Sequence, residues 1–76
     1  MSINIRNKEV LVKFGERLKS LRIANGMTQE ELAFAADIEL SQVHRLESAK
    51  TNATLSTLTA ISSALEVTLS QLFEGV

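Results

Sequence analysis

A chain of 76 residues with no cysteine holds one domain around one modest core, and it excludes a disulfide framework or a thiolate metal site. Hydrophobic residues make up 45% of it but are scattered, so no run approaches the roughly 20 apolar residues of a membrane span, and Met1–Arg6 is too polar for a secretory leader. The formal net charge is −1, so a nucleic-acid surface on this chain has to gather its cations on one face.

Zero prolines, few aromatics and abundant Leu, Ala, Glu and Gln favour helix throughout. The first helix is expected to open near Asn7, with Val10, Leu11, Phe14, Leu18 and Leu21 as its inward stripe, and to stop at Asn25-Gly26. Thr28 and Glu31 have the spacing of a capping box, stapled by Met27 and Leu32, so a short second helix follows and ends near Ala36. Glu39, a mediocre N-cap, opens a third helix stapled by Ile38 and Val43. Thr54 caps a fourth that carries Leu55, Leu58, Ile61 and Leu65 on one stripe. Thr68 and Gln71 repeat the capping box, with Val67 and Leu72 as staple, for a last short helix through Phe73. No segment alternates with period two over a useful length. The expected fold is therefore all-α, a single compact domain over 1–76 with its core in about 10–74.

The stretch from Gln29 to Ser48 meets the requirements of two helices crossing steeply through a short turn. Leu32, Ala36, Ile38, Val43 and Leu46 can all face inward. Ala33 is small where the second helix of the pair passes over it. Asp37 sits where the turn needs positive φ, a conformation that Gly takes freely and Asp tolerates. With Val43 and Leu46 inward, Ser41, Arg45 and Ser48 face outward, His44 lies close beside them, and Leu40 and Gln42 lie on the flanks.

The stretch Met27-Thr-Gln-Glu-Glu-Leu-Ala-Phe-Ala-Ala-Asp-Ile, followed by Ser41-Gln-Val-His-Arg-Leu-Glu, resembles the Xre/Cro/lambda-repressor family of helix-turn-helix domains. The ending Leu65-Glu-Val-Thr-Leu-Ser-Gln-Leu-Phe resembles that family's closing helix. The resemblance covers about residues 10–74 and implies five helices with the third, about 40–48, in the DNA major groove. It matches Leu40, Ser41, Gln42, His44 and Arg45 to base-facing positions. Arg45 has the chemistry to pair with guanine and Gln42 with adenine, while Leu40 can touch a thymine methyl. Gln29 matches a phosphate-holding helix start, and Ser48, Lys50, Thr51 and Asn52 match backbone-facing positions after the third helix. Arg22 and Glu47 match an architectural ion pair. The family commonly has Gly where Ala49 stands; since Ala takes the left-handed conformation at a cost of roughly 1–2 kcal/mol, the third helix is expected to run on until Asn52 closes it.

The resemblance implies a transcriptional regulator of double-stranded DNA that works as a homodimer on a palindromic operator, and the lack of cysteine suits a reducing cytoplasm. Leu69, Leu72, Phe73 and Val76 are more apolar surface than a short terminal helix needs, and are expected to supply the dimer interface. The competing reading is an antitoxin or adaptor that uses the fold to bind a protein partner, favoured by the acidic balance and by Glu39 at the leading edge of the third helix. An enzyme is the remote reading: the chain has one His, no Cys and no Gly-rich phosphate loop. No metal, cofactor, membrane or small-molecule ligand is expected, and Gly15, isolated in a helix, points to close packing.

Overall fold

The structure, a computed structural model, describes residues 4–76, with side chains from Lys8 onward. Five helices follow one another: α1 Asn4–Ala24, α2 Gln29–Ala36, α3 Leu40–Glu47, α4 Leu55–Leu65 and α5 Leu69–Leu72. The described residues contain no strand. The helix starts obey the local chemistry of their sequences. Thr28 and Thr68 each form a complete capping box, with Glu31 and Gln71 returning to the cap N–H at 2.8 and 2.9 Å. Thr54 caps α4 by accepting from the Thr57 N–H. Glu39 makes no side-chain cap bond; only its carbonyl serves the start of α3, accepting from the Gln42 and Val43 N–H groups at 3.0 and 3.3 Å.

The helix ends share a backbone device. After α1, α2, α3 and α4 one residue turns left-handed, at Gly26, Asp37, Ala49 and Glu66 (φ 69°, 57°, 61° and 58°). The N–H of the next residue then donates back five positions, from Met27 to Arg22, Ile38 to Ala33, Lys50 to Arg45 and Val67 to Ser62, at 2.9–3.1 Å. Asp37 thus behaves as its position in the turn requires. Ala49 does not behave as expected: it accepts the strained conformation, and α3 stops at Glu47 with Ser48 as its cap instead of continuing to Asn52. The reason is tertiary. The Leu46 and Glu47 carbonyls at the end of α3 are packed against Gly15 of α1, and the Lys50 N–H closes the helix by returning to Arg45.

The core joins every helix. Phe14 and Leu18 of α1 meet Leu32, Ala33 and Ala36 of α2, Val43 and Leu46 of α3, Ile61 and Leu65 of α4, and Leu72 of α5. Leu21, Met27, Ile38, Leu58 and Val67 pack against it half-buried. Three expectations about the outer elements fail. α1 begins at Asn4, so Asn7 lies inside it and is not its N-cap; no Gly or Pro interrupts residues 4–7, and extending a nucleated helix is easy. Val10 and Leu55 belong by spacing to inward stripes but are 48% and 71% exposed. Leu72 is fully buried within this one chain.

Candidate nucleic-acid interface

The first half of the motif begins with the Thr28 capping box, whose acidic first turn (Glu30, Glu31) complements the helix dipole. Leu32 and Ala36 anchor α2 in the core, Ala33 is 5% exposed, and the Asp37 turn delivers the chain into α3. In α3 only Val43 and Leu46 are buried. Leu40, Ser41, His44, Arg45 and Ser48 are exposed, and Gln42 and Glu47 are half-buried. All five expected base-facing residues therefore have side chains on or beside an open helix face.

α3 is fixed against α1 at its C-terminal end. A Cβ placed on Gly15 would stand 2.7 Å from the carbonyl oxygens of both Leu46 and Glu47. Those contacts are with backbone, which cannot swing aside, so only a residue without a side chain permits the crossing. Beside it Arg22 donates through Nε to Glu47 Oε2 at 2.6 Å and through Nη2 to Glu47 Oε1 at 3.0 Å. Its remaining nitrogen donates to the Met27 carbonyl at 2.8 Å, so the same guanidinium ties down the entry to α2. The hydrogen bond to Glu47 raises the Arg22 pKa above its already high ordinary value, against the opposing effect of burial. The ion pair implied by the resemblance is therefore present, with side chains only 11% and 5% exposed. Among the described residues no buried side-chain polar atom lacks a partner.

Gln29 enlarges this network. Its Nε2 donates to Glu47 Oε1 at 2.9 Å, leaving the second amide N–H for another acceptor. Around it Lys19, Arg22, Gln29, His44, Glu47 and Ser48 line a surface depression between α1, the start of α2 and α3. Ser48 is less available than its position implies, because its hydroxyl donates to the His44 carbonyl one turn back. Gln42 leans the other way, its Nε2 donating at 3.4 Å to Thr57 Oγ1, which in turn bonds the Thr54 hydroxyl. Lys50 and Asn52 are exposed after α3; Thr51 is half-buried and donates to the Asn52 carbonyl.

At the other end of the molecule Phe14 and Phe73 pack with ring centroids 5.3 Å apart, and with Thr51, Asn52, Ala53 and Leu58 they line a shallow, mostly apolar groove. Leu69 and Phe73 remain about one-third exposed and Val76 half-buried, whereas Leu72 offers a partner nothing. Sequence reasoning missed Arg17. Its guanidinium donates to the Gln71 carbonyl at the end of α5 and reaches Glu74 at 3.5 Å, closing a terminal helix that has only four residues. No local pattern signals a bond across 54 positions. The exposure of Phe34, 89%, was equally invisible to spacing alone.

Comparison with known proteins places this arrangement. The family model described as "Helix-turn-helix" (HTH_3) matches residues 18–72. The chain is 33% identical to the control protein C.MunI from a Mycoplasma species, over 90% of this chain and 93% of the relative. It is 37% identical to the HTH-type transcriptional regulator DdrOP3 of Deinococcus deserti, of which it spans only half the length. The crystal structure of the restriction–modification controller protein C.AhdI from Aeromonas hydrophila superposes with a TM-score of 0.81 at 40% identity, covering 83% of this chain and 96% of the controller. These relatives are regulators and controllers, not enzymes. With the motif, its clamp and its helix ends all in place, the chain belongs to the Xre-like helix-turn-helix family, HTH_3.

Proposed function

We propose that this chain is a sequence-specific DNA-binding transcriptional regulator that acts in the cytoplasm as a homodimer on a palindromic operator, with α3 in the major groove. The observation that carries the reading is α3 itself: two buried residues fix it to the core while Leu40, Ser41, His44 and Arg45 are exposed. Arg45 has a guanidinium suited to guanine O6 and N7, and Leu40 an apolar tip suited to a thymine methyl. Gln42 can reach adenine by giving up its long bond to Thr57. Gln29, Lys50, Thr51 and Asn52 flank these residues and serve the backbone, where contacts orient the protein without reading sequence. Leu69, Phe73 and Val76 supply the dimer contact. No helix among the described residues is long and apolar enough to cross a membrane. Likeness to the controller proteins C.MunI and C.AhdI, at 33% and 40% identity, supports the controller type of regulator.

The test is selection of bound duplexes from a random pool, followed by affinity measurement across a salt series. The expected result is a palindromic consensus with half-sites about one helical turn apart and affinity falling steeply with salt. A second reading, an adaptor or antitoxin that binds protein, draws on the net charge of −1 and on Glu39 beside α3. Absence of duplex binding even at low salt would favour it.

A further inference from the structure

We infer that Lys19, Gln29 and His44 form a seat for one DNA backbone phosphate, in which His44 is a protonatable phosphate ligand and not a base reader; this rests on the DNA-binding reading above. His44 lines the depression between α1, the start of α2 and α3, together with Lys19, Arg22, Gln29, Glu47 and Ser48, whereas Ser41 and Arg45 do not. Its position explains the company: Glu47 and Ser48 lie three and four residues on, one helical turn along the same side. His44 is thus on the flank of α3 turned towards α1. In a helix lying in the groove that flank meets the rim, where phosphates are, while Arg45 points at base edges.

The charges in the depression suit an anion. Arg22 and Glu47 pair through two hydrogen bonds and cancel. Lys19 of α1 is then the one uncancelled charge among the lining residues, Gln29 is the neutral contribution of α2, and α3 adds only the imidazole. Gln29 is held by Glu47 with one amide N–H still free to donate. Ser48 forms wall and not donor, since its hydroxyl proton is engaged by the His44 carbonyl. A neutral imidazole offers a single N–H; a protonated one offers two and a full positive charge, and imidazoles change state in the physiological range. Operator affinity should therefore rise as pH falls.

The experiment measures affinity for a duplex selected from the random pool, at constant ionic strength, for wild type, His44→Gln and Lys19→Gln, with melting curves as a check on folding. Wild type should bind about fivefold tighter at about pH 6 than at about pH 8, because a protonated imidazole brings a second N–H and a positive charge to the phosphate. His44→Gln should flatten that response and select the same consensus. Lys19→Gln should weaken binding at every pH and keep the response. Affinity independent of pH, an unchanged response in His44→Gln, or a different consensus for that variant would each overturn the inference while leaving the DNA-binding reading intact. If inorganic phosphate alone, followed by the His44 NMR signals, binds as tightly as the duplex phosphate, the site is one for free anions and the inference also fails. No duplex bound at any pH sinks the function proposed above as well.

Discussion

The two ends of the recognition helix are built in opposite ways. At its C-terminal end α3 is held by three independent features: the Gly15 crossing, the Arg22–Glu47–Gln29 network, and the left-handed Ala49 with the Lys50 N–H returning to Arg45. At its leading end Glu39 makes no capping bond, and Leu40 and Ser41 are exposed. The contrast teaches where rigidity is needed. A helix presented to DNA must be aimed by its scaffold, and here the aiming is done at the C-terminal end, within a turn of His44 and Arg45. The leading end keeps its surface free for contacts that form only in the complex.

The largest break in that contrast comes from the clamp. Arg22→Ala strands the Glu47 carboxylate, 5% exposed, with Gln29 as its one remaining side-chain donor. Removing one partner of a buried pair is expected to cost about 3 kcal/mol here, the low end of the usual range because the pair is not fully sealed. Denaturant unfolding of the two proteins checks it. A basic group whose pKa is raised on folding contributes stability that is fully present below its unfolded pKa and is lost only as pH climbs through the folded value. Arg22 is raised from an already high value, so its contribution should stay constant from about pH 6 to about pH 9. A difference between wild type and variant that shrinks across that window would break the assignment.

Gly15→Ala attacks the same end by steric means. The new methyl would meet two carbonyl oxygens at 2.7 Å. Overpacking of about 3 kcal/mol, less about 1 kcal/mol gained from the better helix former, gives a net loss of about 2 kcal/mol. Because the relief must come from moving α3 relative to α1, operator affinity should fall even in conditions where the variant is fully folded. Ala49→Gly works in the other direction. It relieves the left-handed strain while loosening the unfolded chain, for a net gain of about 1 kcal/mol in chemical denaturation. A loss there would mean that the half-buried Ala49 methyl packs more than it strains.

These residues also mark what the sequence could and could not reveal. Both capping boxes, the Asp37 turn and the inward faces of α2 and α3 were legible because they depend on residues three to five apart. The Arg22–Glu47 pair was reached through family likeness, and Gly15 through its oddness inside a helix. Ala49 was misjudged because local strain is a weak constraint once tertiary packing decides where a helix must stop. Val10 and Leu55 were misjudged for a related reason: a stripe at helical spacing says which side faces a neighbour, and not whether a neighbour reaches that far; Leu72 was rightly placed as a staple but wrongly also offered to a partner. Leu72 lies in the core because α5 docks under Phe14 and the Arg17 clamp, neither of which has a local signature. For the reading face the sequence supplied the residues, but Gln29 bonded to Glu47 and His44 lining one depression with Lys19 emerged only in three dimensions.

The smallest effect on stability, and the sharpest on recognition, should come from the leading end. Glu39→Ser places a hydroxyl where the cap residue already has extended geometry (φ −72°, ψ 143°) and lacks a side-chain bond. The new cap is worth about 1 kcal/mol, reduced by the lost attraction between a carboxylate and the helix dipole, so a net gain of about 0.5 kcal/mol is expected. Its effect on DNA separates two roles for the carboxylate. If Glu39 only repels phosphates, the variant binds every duplex more tightly by a similar factor, and the selected consensus is unchanged. If Glu39 accepts from a cytosine N4, the variant loses discrimination at one position of each half-site, a penalty of about 1–3 kcal/mol against the wrong base in wild type. The helix is free at this end, so neither outcome should disturb the clamp at the other. A Glu39→Ser melt that fell by as much as that of Arg22→Ala would show the two ends of α3 to be coupled, and the contrast between them would fail.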